Sequence, residues 1–138
     1  MGRVFFNTRE NVHALTAAYT VLESDSGKIF TVDSAGGAYE ITMPTTVANL
    51  EGFNCKFITK EHTPTADVTI AFGSGIVDGY SEDVTADLGV GTNGTAVQGL
   101  KIEAASAKGD TINVMCDGTT WYFEAFSQIH NGITTVAA

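Results

Sequence analysis

Apolar residues recur at every second position in segment after segment of this chain, a spacing that extended strands use and helices do not. Tyr39, Ile41 and Met43 alternate with Glu40 and Thr42, and Phe53, Cys55 and Phe57 with Asn54 and Lys56. Val68, Ile70 and Phe72 alternate with Thr69 and Ala71, and Ile112, Val114 and Cys116 with Asn113 and Met115. Trp121 and Phe123 share one face, with Tyr122 and Glu124 opposite. Successive side chains of a strand point to opposite faces, so each segment turns one face to a core and the other to polar surroundings.

The breaks between these segments carry turn chemistry. Asp25-Ser26-Gly27 precedes a strand over Lys28–Asp33, and Ala35-Gly36-Gly37 separates it from Ala38–Met43, as a hairpin would need. Pro44 ends that second strand because it cannot donate a ladder hydrogen bond. Thr45–Leu50 reads as one short helical turn stopped by Gly52. Asp117-Gly118-Thr119-Thr120 joins the two most strongly alternating segments and is the clearest hairpin of the chain. Thr8–Ala18 reads as helix or extended arm, and Ala86–Gly99 as a long loop with at most a short strand. Strand-sized segments recur at roughly 8–12 residues, the spacing of sandwiches and barrels. The expected fold is all-β, a single antiparallel β-sandwich, jelly-roll-like, over residues 19–126. Short terminal arms flank it, residues 1–18 and residues 127–138, the latter an arm or hairpin signalled by Asn131-Gly132.

Composition narrows the partners. The chain has 138 residues, one domain's worth, with 16 Asp+Glu against 7 Lys+Arg and a formal charge of −9. A phosphate backbone repels such a surface, so no nucleic-acid partner is expected. No apolar run approaches the ~20 residues of a membrane span, so no membrane partner is expected either. The opening Met1–Asn7 lacks the long apolar stretch of a secretory leader, so synthesis in a cytoplasm is expected.

Motifs that could carry chemistry are sparse. Gly89-Val90-Gly91-Thr92-Asn93-Gly94 matches the dinucleotide-binding glycine pattern, but Thr95–Glu103 after it reads as strand, not the helix whose N-terminus holds a pyrophosphate. No cofactor is expected. Asp78, Glu82, Asp83 and Asp87 make the densest acidic stretch without the spacing of a calcium loop, and a solvated acidic surface accounts for it. His13, His62 and His130 stand far apart in no ligand pattern, and no nucleophile elbow exists. Cys55 and Cys116 fall on the apolar faces of their strands as small hydrophobes; a disulfide would require those strands to be neighbours. The chain is therefore expected not to be an enzyme.

Two stretches together resemble structural proteins of tailed bacteriophages. The first is Asp25-Ser26-Gly27-Lys28-Ile29-Phe30-Thr31-Val32-Asp33 followed by Ile41-Thr42-Met43-Pro44 and Gly52-Phe53, with Met43 where leucine is commoner. The second is Gly109–Tyr122 with its Asp117-Gly118-Thr119-Thr120-Trp121 turn. The resemblance spans most of Tyr19–Phe126, except Gly73–Gly99, and points to small β modules of fibres and of capsid decoration (cement) proteins. It implies a non-enzymatic decoration protein, a homotrimer on the outer capsid surface, with the major capsid protein as partner and the virion as its location. The expected contact residues are Val4, Phe5 and Phe6 at one end and Ile129, Ile133 and Val136 within Gln128–Val136 at the other. A fibre module binding a receptor or glycan is the alternative, with Tyr39, Trp121 and Tyr122 as stacking rings. A carbohydrate-active enzyme would need a cleft with two facing carboxylates.

Overall fold

The computed structural model describes residues 11–45, 47–61, 64–73, 77–84, 88–91 and 97–137. Its strands are β1 (Val12–Leu15), β2 (Tyr19–Thr20), β3 (Ile29–Val32), β4 (Tyr39–Thr42), β5 (Asn54–Thr59) and β6 (Val68–Ala71). They continue as β7 (Val77–Asp83), β8 (Leu88–Gly91), β9 (Val97–Ile102), β10 (Thr111–Cys116), β11 (Trp121–Ser127) and β12 (Ile133–Ala137). The only helical elements among the described residues are two 3₁₀ turns, Glu23–Asp25 and Val47–Asn49. The fold is all-β, in two sheets ordered β1-β3-β5-β10-β11-β7-β8 and β12-β9-β6-β4-β2.

The first six strands enter the two sheets alternately. The result is two parallel stacks, β1-β3-β5 and β2-β4-β6. A strand that returns to its sheet after crossing to the other one runs in its original direction, so the opposite sheet does here what a crossover helix does elsewhere. β7 also lies parallel to β11, whereas β5-β10, β10-β11, β7-β8, β6-β9 and β9-β12 are antiparallel. The expectation of an antiparallel, jelly-roll-like path is corrected on this point. Alternation reports which face of a strand is buried and is blind to the direction of its neighbour. For the same reason Ala35-Gly36-Gly37 is no hairpin. It carries the chain from β3 in one sheet to β4 in the other, through a turn closed by Gly37 N–H donating to the Ser34 carbonyl at 2.9 Å.

Thr8–Ala18 resolves, over its described part, into the extended strand β1 at a sheet edge, not a helix. Asn131-Gly132 likewise turns the chain from β11 to β12 in the opposite sheet, so it closes no hairpin. Leu88–Gly91 is the short strand that the reading of Ala86–Gly99 allows, and Val97–Ile102 lies within Thr95–Glu103, which the sequence reads as strand. The Asp117-Gly118 hairpin forms as expected, pairing Cys116 with Trp121 across it, and Gly118 takes φ 92° in the turn.

Both sheets supply one hydrophobic core. Phe30 and Phe57 stack across β3 and β5 with ring centres 5.2 Å apart. Trp121 is fully buried, edge-on to Phe53 at 5.6 Å and to Phe72 at 5.4 Å, while Ile41, Ile70 and Leu100 come from the smaller sheet. Lys28 sits 2.6 Å from the buried Asp25 carboxylate. That carboxylate also accepts from the Tyr19 hydroxyl and the Leu22 N–H. Burial alone would raise the Asp25 pKa, and these three donors together outweigh it and lower it.

Candidate binding face of the seven-stranded sheet

Strand register builds the outer face of the larger sheet row by row. One row runs Ile29–Lys56–Asn113–Glu124–Tyr80 across β3, β5, β10, β11 and β7. On one side lies the row Asn54–Met115–Tyr122–Asp78, and on the other Thr31–Ile58–Thr111–Phe126–Glu82. Lys56, Asn113 and Glu124 thus lie between Met115 and Tyr122 of one flanking row and Phe126 of the other. Met115, Tyr122, Phe126 and Tyr80 are large side chains left open to solvent. Single exposed apolar residues are ordinary, but several on one sheet face mark a contact surface.

The face is not flat. A depression of about 560 Å³ lies between Ile29 and Lys56 on one flank and Tyr122 and Glu124 on the other, with Asn113 and Met115 between. Glu124 is the one carboxylate among its described lining residues. The Tyr122 ring is held by its hydroxyl, which donates to Asp117 Oδ2 at 3.0 Å. Asp117 Oδ1 in turn accepts from Thr120 N–H, Thr119 Oγ1 and Thr119 N–H at 2.7, 2.7 and 2.8 Å. These donors, the Thr120 N–H foremost, hold the Asp117 carboxyl far below the usual carboxylate range, and the same carboxylate pushes the Tyr122 hydroxyl up. Tyr80 donates to Glu124, which raises the Tyr80 pKa, and its ring meets Phe126 edge-on at 6.5 Å.

A second exposed group lies at the far end of β11. The Val84 N–H donates to the Ser127 carbonyl at 3.0 Å, bringing Val84 beside the segment Phe126–Ile129. Val84 is 76% exposed, Phe126 40% and Ile129 38%.

The sequence-based candidates divide as follows. Val4, Phe5 and Phe6 lie outside the described residues. Ile129 is exposed, but Ile133 is in the core at 5% exposure and Val136 is half-buried on β12, paired with Gly99. Ile133 spends its apolar surface on the chain's own core, so it presents nothing to a neighbour. Of the three rings considered for stacking, Tyr122 is exposed. Trp121 is fully buried, and Tyr39 is half-buried with its hydroxyl donating to the Leu15 carbonyl at 3.0 Å.

The remaining motifs find structural roles. Gly89 and Gly91 lie within β8, Gly94 falls outside the described residues, and the next element is the strand β9, not a helix. Asp78, Glu82 and Asp83 sit on β7, where Asp83 lies 2.9 Å from His130 Nδ1; Asp87 is outside the described residues. His13 packs on the rings of Tyr19 and Phe30, and His62 is outside the described residues. Cys55 and Cys116 are on neighbouring strands, yet Cys55 faces Val114, which leaves Cys116 two residues along; both thiols are free and buried. Burial pushes the Cys55 thiol up to about 12.

Sequence reasoning passed over Lys56, Asn113, Glu124, Val84 and Phe126. The signal for two of the exposed rings was present, because Tyr122 and Phe126 occupy the phase of β11 that alternation assigns to the polar side. No protein-family model matches the chain, and no match is found among the curated proteins.

Proposed function

We propose that this chain is a non-enzymatic structural protein of a phage virion, of the capsid decoration type. The chain folds as a β-sandwich that adheres to the outer surface formed by the major capsid protein and stabilises the head. The observation that carries the reading is the exposed apolar group Val84, Phe126 and Ile129, gathered at one end of β11. Apolar groups so placed favour adhesion to another protein surface over solvation. The phage setting, the homotrimer and the capsid surface as location rest on the resemblance of Asp25–Asp33 and Gly109–Tyr122 to such modules. A protein that binds the assembled lattice and not its loose subunits stabilises it by RT ln(1 + [L]/Kd) per site, repeated over many sites. The charge of −9 keeps decorated particles apart.

The test is co-sedimentation with expanded heads assembled from the phage's major capsid protein. Val84→Ser, Phe126→Ser and Ile129→Ser combined should reduce binding about tenfold or more while the circular-dichroism spectrum stays unchanged. Undiminished binding by that triple variant removes this docking surface. Failure of the unaltered chain to bind heads removes the decoration reading itself. The glycan-binding alternative has its own support in the Tyr122 depression.

A further inference from the structure

We propose that the depression between β5, β10 and β11 is a binding site for a neutral saccharide. This does not rest on the docking reading. The Val84–Phe126–Ile129 group lies toward the opposite end of β11, and Tyr122 and Phe126 are about 13 Å apart along the strand.

The polar groups come first. Asn113 and Lys56 are half-buried neighbours in register, and neither side chain has a hydrogen-bond or ion-pair partner among the described residues. The Asn113 amide and the Lys56 ammonium stand side by side on the lining of the depression, with hydrogen-bonding capacity that nothing among the described residues uses. A ligand rich in hydroxyls matches both. The Asn113 amide offers donors and an acceptor, and the Lys56 ammonium offers donors.

The ring comes second. Tyr122 is anchored through Asp117 before any ligand arrives, and Asp117 is itself held by three donors from the turn. A pre-set aromatic plate loses little freedom on binding, and the C–H face of a pyranose stacks on such a plate. Met115 beside it adapts its shape to the ring placed there. The volume of about 560 Å³ falls within the ~300–1,000 Å³ of small-ligand sites and has room for a short saccharide.

Charge selects among polar ligands. Two lysines line the depression: Lys28 is paired with Asp25 at 2.6 Å, Lys56 shares its row with Glu124, and the chain as a whole carries −9. An anionic sugar or a phosphate therefore gains little from the one unpaired ammonium among the described lining residues and is opposed by the surrounding field. A neutral saccharide avoids that opposition.

The experiment is a two-dimensional amide NMR titration of the full labelled chain. The probes are neutral disaccharides of glucose, galactose, mannose and N-acetylglucosamine at millimolar concentration, with inorganic phosphate as the anionic probe. At least one disaccharide should shift the Asn113, Met115 and Tyr122 signals, and phosphate should not. Asn113→Ala and Tyr122→Ala should each weaken that disaccharide about tenfold. Tyr122→Phe, which keeps the ring and loses the anchor, should weaken it less. Head co-sedimentation by Asn113→Ala should be unchanged, which separates failure here from failure of the docking reading. Silence from every disaccharide, shifts that map away from β10 and β11, or tighter binding of phosphate would each overturn the proposal.

Discussion

The Tyr122 hydroxyl and the Asp117 carboxylate meet at 3.0 Å across the β10–β11 turn. One carboxylate thus closes the hairpin and aims the aromatic ring that walls the depression. Its two oxygens divide the work, Oδ1 taking the three turn donors and Oδ2 the ring hydroxyl. The turn that folds the sheet and the plate that faces solvent are therefore coupled.

That coupling has a pH dependence with a definite sign. Asp117 titrates below its unfolded value in the folded chain, so its contribution to stability is complete above the ordinary carboxylate range. It is lost as pH falls through the depressed folded value. Asp117→Asn removes the charge. The melting-temperature advantage of the unaltered chain over this variant should be full near about pH 6 and shrink steadily below about pH 4. An advantage that does not change with pH would show that the turn donors do not hold the carboxylate.

Adjacent residues on β11 should respond in opposite ways to the same substitution. Trp121→Ala opens a cavity between Phe53 and Phe72 and should cost about 3–5 kcal/mol in urea unfolding. Tyr122→Ala should barely move the unfolding midpoint while weakening disaccharide binding about tenfold. Equal destabilisation by the two would mean that the phase of β11 is wrong.

Gly79 pairs with Phe123 in the parallel β7–β11 register, and a Cβ there would overlap the Phe123 carbonyl oxygen. That oxygen is backbone and cannot swing aside. Gly79→Ala should therefore detach β7 from β11, lower the yield of folded protein and lower its melting temperature by several degrees. An unchanged melting temperature would refute that close approach.

The buried thiols should be silent to a thiol reagent at neutral pH until the chain unfolds. Cys55 has a folded pKa of about 12 against 9.0, so the folded state keeps it neutral where the unfolded chain ionises. Stability should be unaffected below about pH 8.5 and fall progressively from there toward about pH 12, and Cys55→Ala should remove part of that fall. Rapid labelling of the native protein would contradict the burial of both sulfurs.

Period-two alternation made the faces of the strands readable from residue order alone. Trp121 and Phe123 point inward, Tyr122 and Glu124 outward, Pro44 follows β4, and Asp117-Gly118 turns the chain. Each of those traits is local, set by pleat geometry, by a missing N–H or by a side chain bonding its own backbone, and so it leaves a mark within a few residues. Which strand lies beside which leaves no such mark. Lys56, Asn113 and Glu124 share a row because β5 and β11 flank β10, and the first six strands run parallel within each sheet because the chain crosses to the opposite sheet between them. Those neighbours are chosen by burying Phe30, Phe57, Trp121 and Leu100 in one core, a collective outcome of the whole chain that no short window of residues can carry.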